Sequence, residues 1–308
     1  MQTLSHVVIG MAAAAALLAG AAPAAAAPPP ATAASTRLFA DSQLVVGDRF
    51  SDEVIGNGPD LIFVPGLASS RETWRVTAQR LRGRFRLHLI QIAGFAGEPA
   101  RANAAGPVLA PSAEALDAYI VAHHLAPAVL IGHSLGGTIA LYLAEHHPEH
   151  LKKVLIVDAL PFFAVTMMGP AATAANVSPM AESLRAGPAM APDAQSKMIA
   201  GMVTGPADRD RVTGWSRASN YSVVAAALAD DLELDLRAGL AATSTPITVL
   251  YPDNLAVGMP AGAADRFYGA AFAHLPNKTL KRVDHSLHFI MLDQPEVFAA
   301  DLDEFLAH

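Results

Sequence analysis

The chain has 308 residues, room for one large catalytic domain with an insertion, and it contains no cysteine, which excludes disulfides and thiolate metal sites. Its formal net charge is −7, from 21 Lys and Arg against 28 Asp and Glu. No basic run or basic helix face occurs, which argues against nucleic acid or an anionic membrane surface as a main partner.

Residues 1–36 carry no Lys, Arg, Asp or Glu. Val7 to Ala22 is a small-apolar run, followed by Ala24–Ala27 and then Pro28-Pro29-Pro30, the layout of an export signal with a small-residue cleavage zone. A proline directly after the cut would block cleavage, so the cut is expected after Ala24, Ala25 or Ala26. Residues 1–26 then form a signal peptide and 27–39 a flexible lead. The mature protein is expected to be exported, periplasmic or secreted, with no stable membrane span. The alternative is a retained anchor, because the first residues lack Lys and Arg, although the apolar run is shorter than the roughly 20 residues a span needs.

From about residue 40 short apolar runs alternate with helical patterns. The runs are 61–64, 87–92, 128–131, 154–157, 247–251 and 280–283, and nearly all of them close on Gly, Pro or Asp. Such uninterrupted runs suit strands buried on both faces. Helical spacing covers roughly 72–82, 112–125, 135–147, 261–273 and 295–307. In the last, Val297, Phe298, Leu302, Phe305 and Leu306 share one face. The alternation implies an α/β fold with a mostly parallel central sheet flanked by helices, built from 40–159 and 246–308. The interval 160–245 has no clear strand and holds six of the ten methionines, so it is expected to be an inserted helical cap.

Gly132-His133-Ser134-Leu135-Gly136 fits G-x-S-x-G, after the apolar strand Ala128–Ile131 and before an amphipathic helix. A serine on so sharp a strand-to-helix turn needs small neighbours, and the turn presents its hydroxyl at a helix N-terminus that favours developing negative charge. Ser134 is therefore the candidate nucleophile. With this context the sequence resembles the α/β-hydrolase family, in its cap-bearing, lipase/esterase-like branch, over nearly all of 40–308. Serine at the turn speaks against the haloalkane and epoxide chemistries of members that carry aspartate there.

A serine nucleophile needs a general base. The resemblance implies a histidine in the loop after the last strand, followed by an apolar stretch, an acid and Gln-Pro-Glu. His288 to Glu296 fits in register, whereas His285 would need three extra residues. The resemblance also places the acid that orients the base after the strand 247–251, at Asp253. Pro252 stands there in place of the usual glycine pattern, and Asp158, after the strand following the nucleophile helix, is the alternative. The oxyanion donors implied are the backbone N–H groups of Leu67 and Leu135, with Pro65 replacing the usual histidine of the loop after the first buried strand.

Phe162, Met167, Met198, Met202, Trp215 and Phe289 are candidates to line an apolar substrate pocket, although packing between cap and core would use the same residue types. Trp74 reads as structural. His123, His124, His146, His147 and His150 read as solvated at helix ends, and neither metal nor cofactor is expected. The leading reading is hydrolysis of a carboxylic ester, or a related acyl bond, of a small apolar substrate through an acyl-enzyme. The same residues would serve a C–C bond hydrolase or a cofactor-free perhydrolase, and a non-catalytic ligand receptor on this scaffold is the alternative from another class. Nothing in the residues addresses oligomeric state.

Overall fold

A computed structural model describes residues 35–308. The expected signal peptide and most of the expected lead lie outside the described residues. Eight strands form one sheet: β1 (Gln43–Val46), β2 (Phe50–Gly56), β3 (Asp60–Val64), β4 (Arg86–Ile92), β5 (Ala128–His133), β6 (Leu151–Val157), β7 (Ile247–Pro252) and β8 (Lys278–Val283). Their order is β1-β2-β4-β3-β5-β6-β7-β8. The β1–β2 and β2–β4 pairs are antiparallel, and every other pair is parallel.

The helices are α1 (Arg75–Leu81), α2 (Leu109–Ala122), α3 (Leu135–His146), α4 (Val165–Met168), α5 (Ala174–Ala186), α6 (Pro192–Ala200), α7 (Pro206–Ala218), α8 (Tyr221–Glu233), α9 (Ala263–Ala271), α10 (Ile290–Asp293) and α11 (Pro295–Ala307). Helices α4 to α8 all fall between β6 and β7, the interval read as an insertion. Among the described residues, none of the helices is long and apolar enough to cross a membrane.

Side-chain alternation assigns the two faces of the sheet. Leu61 and Phe63 of β3 point to one face, where Trp74, Leu81, Phe298 and Leu302 from the α1 and α11 side cover them. Ile62 and Val64 point to the other, against Leu116, Ile120, Ile139 and Leu143 of α2 and α3. Burying each such side chain is worth about 1.5–3 kcal/mol, so the parallel strands are pinned from both sides. Val297 departs from its expected buried face and is 42% exposed.

Strands β1 and β2 escaped the sequence reading because β2 carries charge in its interior. Asp52 and Glu53 are fully buried and paired. Glu53 accepts hydrogen bonds from the N–H groups of Leu38 and Phe39, each at 2.8 Å, and from Ser42 Oγ at 2.6 Å. Asp52 takes His88 Nδ1 at 2.6 Å and the Tyr119 hydroxyl at 2.8 Å. Residues 38 and 39, placed in the flexible lead by sequence, are thus tied to the sheet, and Phe39 is buried.

Candidate active site

The carboxyl ends of β5 and β6 bring the first two site residues together. His133 is registered opposite Val157, so the next residues, Ser134 and Asp158, leave the sheet side by side. Ser134 has φ 52° and ψ −124°, and Asp158 has φ 49°, both in the left-handed half of conformational space. Such a backbone costs on the order of 1–3 kcal/mol and persists only where surrounding structure enforces it. Here the Ser134 N–H donates to Val157 O at 3.0 Å, and Ser134 O accepts from the N–H groups of Gly137 (2.7 Å) and Thr138 (3.0 Å).

Two glycines make the turn possible. A Cβ on Gly132 would stand 2.2 Å from Gly136 O, and one on Gly136 would stand 2.3 Å from Val64 O. The loop after β3 presses on the same turn, since a Cβ on Gly66 would lie 2.9 Å from Ser134 Cβ. That loop is braced from β4 by Gln91, whose amide donates to Ser69 O and accepts from the Arg71 N–H. Leu67, on this loop, borders the cavity described below. Leu135 is the first residue of α3, so its N–H has no acceptor within the helix.

His288 lies in the loop between β8 and α10, and its Nδ1 donates to Asp158 Oδ2 at 2.6 Å, across 130 residues of sequence. The other oxygen, Asp158 Oδ1, accepts from the hydroxyl of Tyr268 on α9. Tyr268 in turn stacks on Tyr251 of β7, with ring centroids 4.5 Å apart. Burial, then the charge of Asp158, push the Tyr268 hydroxyl well above its ordinary value, so it stays protonated and donates.

The expected acid, Asp253, does not meet the base. Asp158 is level with the end of β6, whereas Asp253 follows β7, which runs two residues past the end of β6, and its carboxylate is used by the backbone N–H groups of His285 (2.8 Å) and Leu255 (3.2 Å). Asp158, the alternative, occupies that role instead. His285 is exposed and does not border the cavity.

His133 is completely buried, and its Nε2 donates to the His288 carbonyl at 3.1 Å. Burial first, and then the nearby His288, hold His133 far below its ordinary pKa, so it is neutral and fixes the backbone carrying the other ring. A further tie runs from the Phe289 N–H to Met202 O at 3.1 Å.

A cavity of about 640 Å³ opens over Ser134 and His288, walled largely by the inserted helices. Of the residues expected to line it, Met198, Met202 and Phe289 do so. Phe162, Met167 and Trp215 do not. Phe162 is buried beneath α5 and α8 with Met167 packed on the same cluster. Trp215 turns toward the core and donates from its indole to Glu72 at 3.2 Å. Phe163, Met190 and Leu228 take their place, and Asp231 is an acidic side chain on the wall besides Asp158. Neither Tyr268 nor Asp231 is marked by local pattern, since the partner of each, Asp158 and Thr138, lies far away in the chain.

Among the described residues, one group could hold a metal ion: Asp117, His147 and His150 bring ligating atoms within 4.8 Å of one another. His150 Nδ1 meets Asp117 at 2.8 Å, and His147 Nε2 meets Glu114 at 3.0 Å. This partly exposed cluster precedes β6, at the amino-terminal ends of the parallel strands and so at the opposite end from Ser134, and two of the histidines read as solvated are in fact carboxylate-paired.

The sequence profile described as the alpha/beta hydrolase family matches residues 61–301, most of the chain. The chain belongs to the alpha/beta hydrolase family. A pimeloyl-(acyl-carrier protein) methyl ester esterase of Nitrosomonas europaea is 28% identical, over 82% of this chain and 97% of that protein. The corresponding Vibrio vulnificus and Vibrio cholerae proteins are 33% and 34% identical, but only over 35% and 36% of this chain. Those matches span about two fifths of the Vibrio proteins, 40% and 41%. Among solved structures, an esterase from Exiguobacterium antarcticum superposes with a TM-score of 0.70 at 22% identity, covering 87% of this chain and 98% of that one. At that identity the likeness bears on the alpha/beta hydrolase fold alone.

Proposed function

We propose that this alpha/beta hydrolase cleaves carboxylic esters through an acyl-enzyme on Ser134. The observation that carries the reading is that a strained, partly exposed Ser134 and a His288 whose Nδ1 is engaged by Asp158 border one cavity. With Nδ1–H committed to Asp158, Nε2 of His288 is left as the unprotonated nitrogen that can take the serine proton. Ser134 Oγ then attacks the ester carbonyl, and the developing oxyanion is received by the N–H groups of Leu67 and Leu135, near the N-terminus of α3. His288 returns the proton to the departing alcohol. Water repeats the sequence and releases the acid.

The relatives named as methyl ester esterases support an ester of a small alcohol, and a largely apolar cavity of about 640 Å³ suits an acyl chain of medium length. The inserted helices act as a cap that keeps water from this chain. Export, suggested by the apolar N-terminal run, would direct the enzyme to esters outside the cytoplasm.

The test is labelling with a fluorophosphonate followed by peptide mapping. Modification at Ser134, together with turnover of short p-nitrophenyl esters that Ser134→Ala abolishes without loss of fold, is the expected result. Unchanged turnover in that variant would remove Ser134 as the nucleophile. Fractionation of the producing cells, with the mass of the mature N-terminus, checks export and the cut after Ala24, Ala25 or Ala26.

A further inference from the structure

Two adjacent aspartates near the end of α8 have opposite fates. Asp230 is fully employed: it accepts from the N–H groups of Val108 and Leu109 at the start of α2 and pairs with Arg185 at 3.0 Å. Asp231 is 8% exposed, and its Oδ1 is closed off from solvent without a hydrogen-bond partner. A buried acceptor left unsatisfied costs about 1–3 kcal/mol, more when charged, so its retention calls for an explanation.

The helix geometry aims Asp231 at the substrate space. Tyr221, Val224, Leu228 and Asp231 all border the cavity, and their spacing of three, four and three residues traces one face of α8. The carboxyl faces Thr138, which also borders the cavity and favours its charged form. Thr138 lies in the first turn of α3, and its N–H donates to Ser134 O at 3.0 Å, which sets it beside the nucleophile turn. The carboxyl therefore faces the same cavity as Ser134, with Thr138 adjoining both.

We propose that Asp231 is a specificity-determining residue, which accepts a hydrogen bond from a neutral hydroxyl or amide N–H carried two to four bonds from the scissile carbonyl. The inference rests on the ester-hydrolase reading of the same cavity. A neutral donor fits better than an ammonium group. Burial, opposed by Thr138 and assisted by Asp230, pushes Asp231 up to about 7, so the carboxyl is not firmly ionised at neutral pH. Either protonation state offers an oxygen to a neutral donor. A cation would need the ionised form and would lose its own hydration against Val224, Leu228 and Met190.

The experiment uses matched ester pairs that differ by one hydroxyl. These are p-nitrophenyl 3-hydroxybutyrate against p-nitrophenyl butyrate, and 2-hydroxyethyl butyrate against propyl butyrate. In the native protein kcat/KM is expected to favour the hydroxylated member of at least one pair by roughly 10- to 100-fold, the range of a hydrogen bond to a carboxyl. Asp231→Leu is expected to bring that ratio close to one, and Asp231→Asn, which keeps an acceptor oxygen, to retain part of it. A native ratio near one in both pairs, or a ratio that survives in Asp231→Leu, overturns the proposal. Binding of the same pairs to Ser134→Ala, followed by thermal shift, reads recognition without chemistry. Selective binding there with no native turnover would sink the hydrolase reading and leave the role of Asp231 standing.

Discussion

At the scale of single residues, the site shows which roles are written locally. Ser134 is legible because its turn, its glycines and its helix are contiguous, and His288 because its spacing to the last helix fits one pattern. The acid is not, because the choice between Asp158 and Asp253 depends on how far β6 and β7 extend relative to each other, which no local pattern encodes. Asp158→Asn is expected to lower kcat by about 10³–10⁴ by removing the group that fixes the His288 tautomer. Asp253→Asn is expected to leave kcat within a few-fold, because that carboxylate serves the 253–285 backbone. Steady-state kinetics on one ester compares them, and equal losses would contradict the geometry. Tyr268 is a positioning residue acting through Asp158, so Tyr268→Phe is expected to reduce kcat several-fold with little change in KM.

At the scale of elements, the inner parallel strands β3 to β7 were readable as largely apolar runs because both of their faces are buried, whereas 280–283, expected to be buried likewise, is the half-exposed edge strand β8 with Lys281 and Arg282 in it. The β1–β2 pair was not readable, since Asp52 and Glu53 interrupt the pattern with charges whose partners come from β4, α2 and the segment before β1. The helix after β3 was located, but its first turn is a 3-10 turn at Arg71–Trp74 ahead of α1. The glycines of the Ser134 turn make a direct test of element packing. Gly136→Ala places a methyl group against the backbone oxygen of Val64, which cannot swing aside. A loss of several kcal/mol is expected, since overpacking alone costs about 1–3 kcal/mol, and chemical denaturation would measure it.

At the scale of the whole molecule, the cavity that serves the chemistry also taxes stability. The Asp231 carboxyl is raised from 3.8 to about 7 on folding, so the folded state holds its proton more tightly than the unfolded one. The sign follows: stability falls as pH rises from about 4 to about 7, is unaffected by this group below that window, and carries the whole penalty above it. Asp230 on the same helix and His133, His288, Asp158 and Arg217 around the cavity are the charged and titratable neighbours, and they are common to both proteins being compared. Asp231→Asn is therefore expected to raise Tm relative to the native protein more at pH 8 than at pH 4.5. Equal differences at the two pH values would show that the carboxyl is hydrated.

The bond from the Phe289 N–H to Met202 O has a mechanical consequence. Its neighbours reinforce it, since Asp293 takes the N–H and hydroxyl of Thr204 with one oxygen and the Leu287 N–H with the other. The stretch at 202–204 is thereby stitched to both flanks of His288. Lifting the roof at this seam would pull on the backbone that carries the imidazole, so an opening that admits substrate is expected to raise the opposite margin and pivot here.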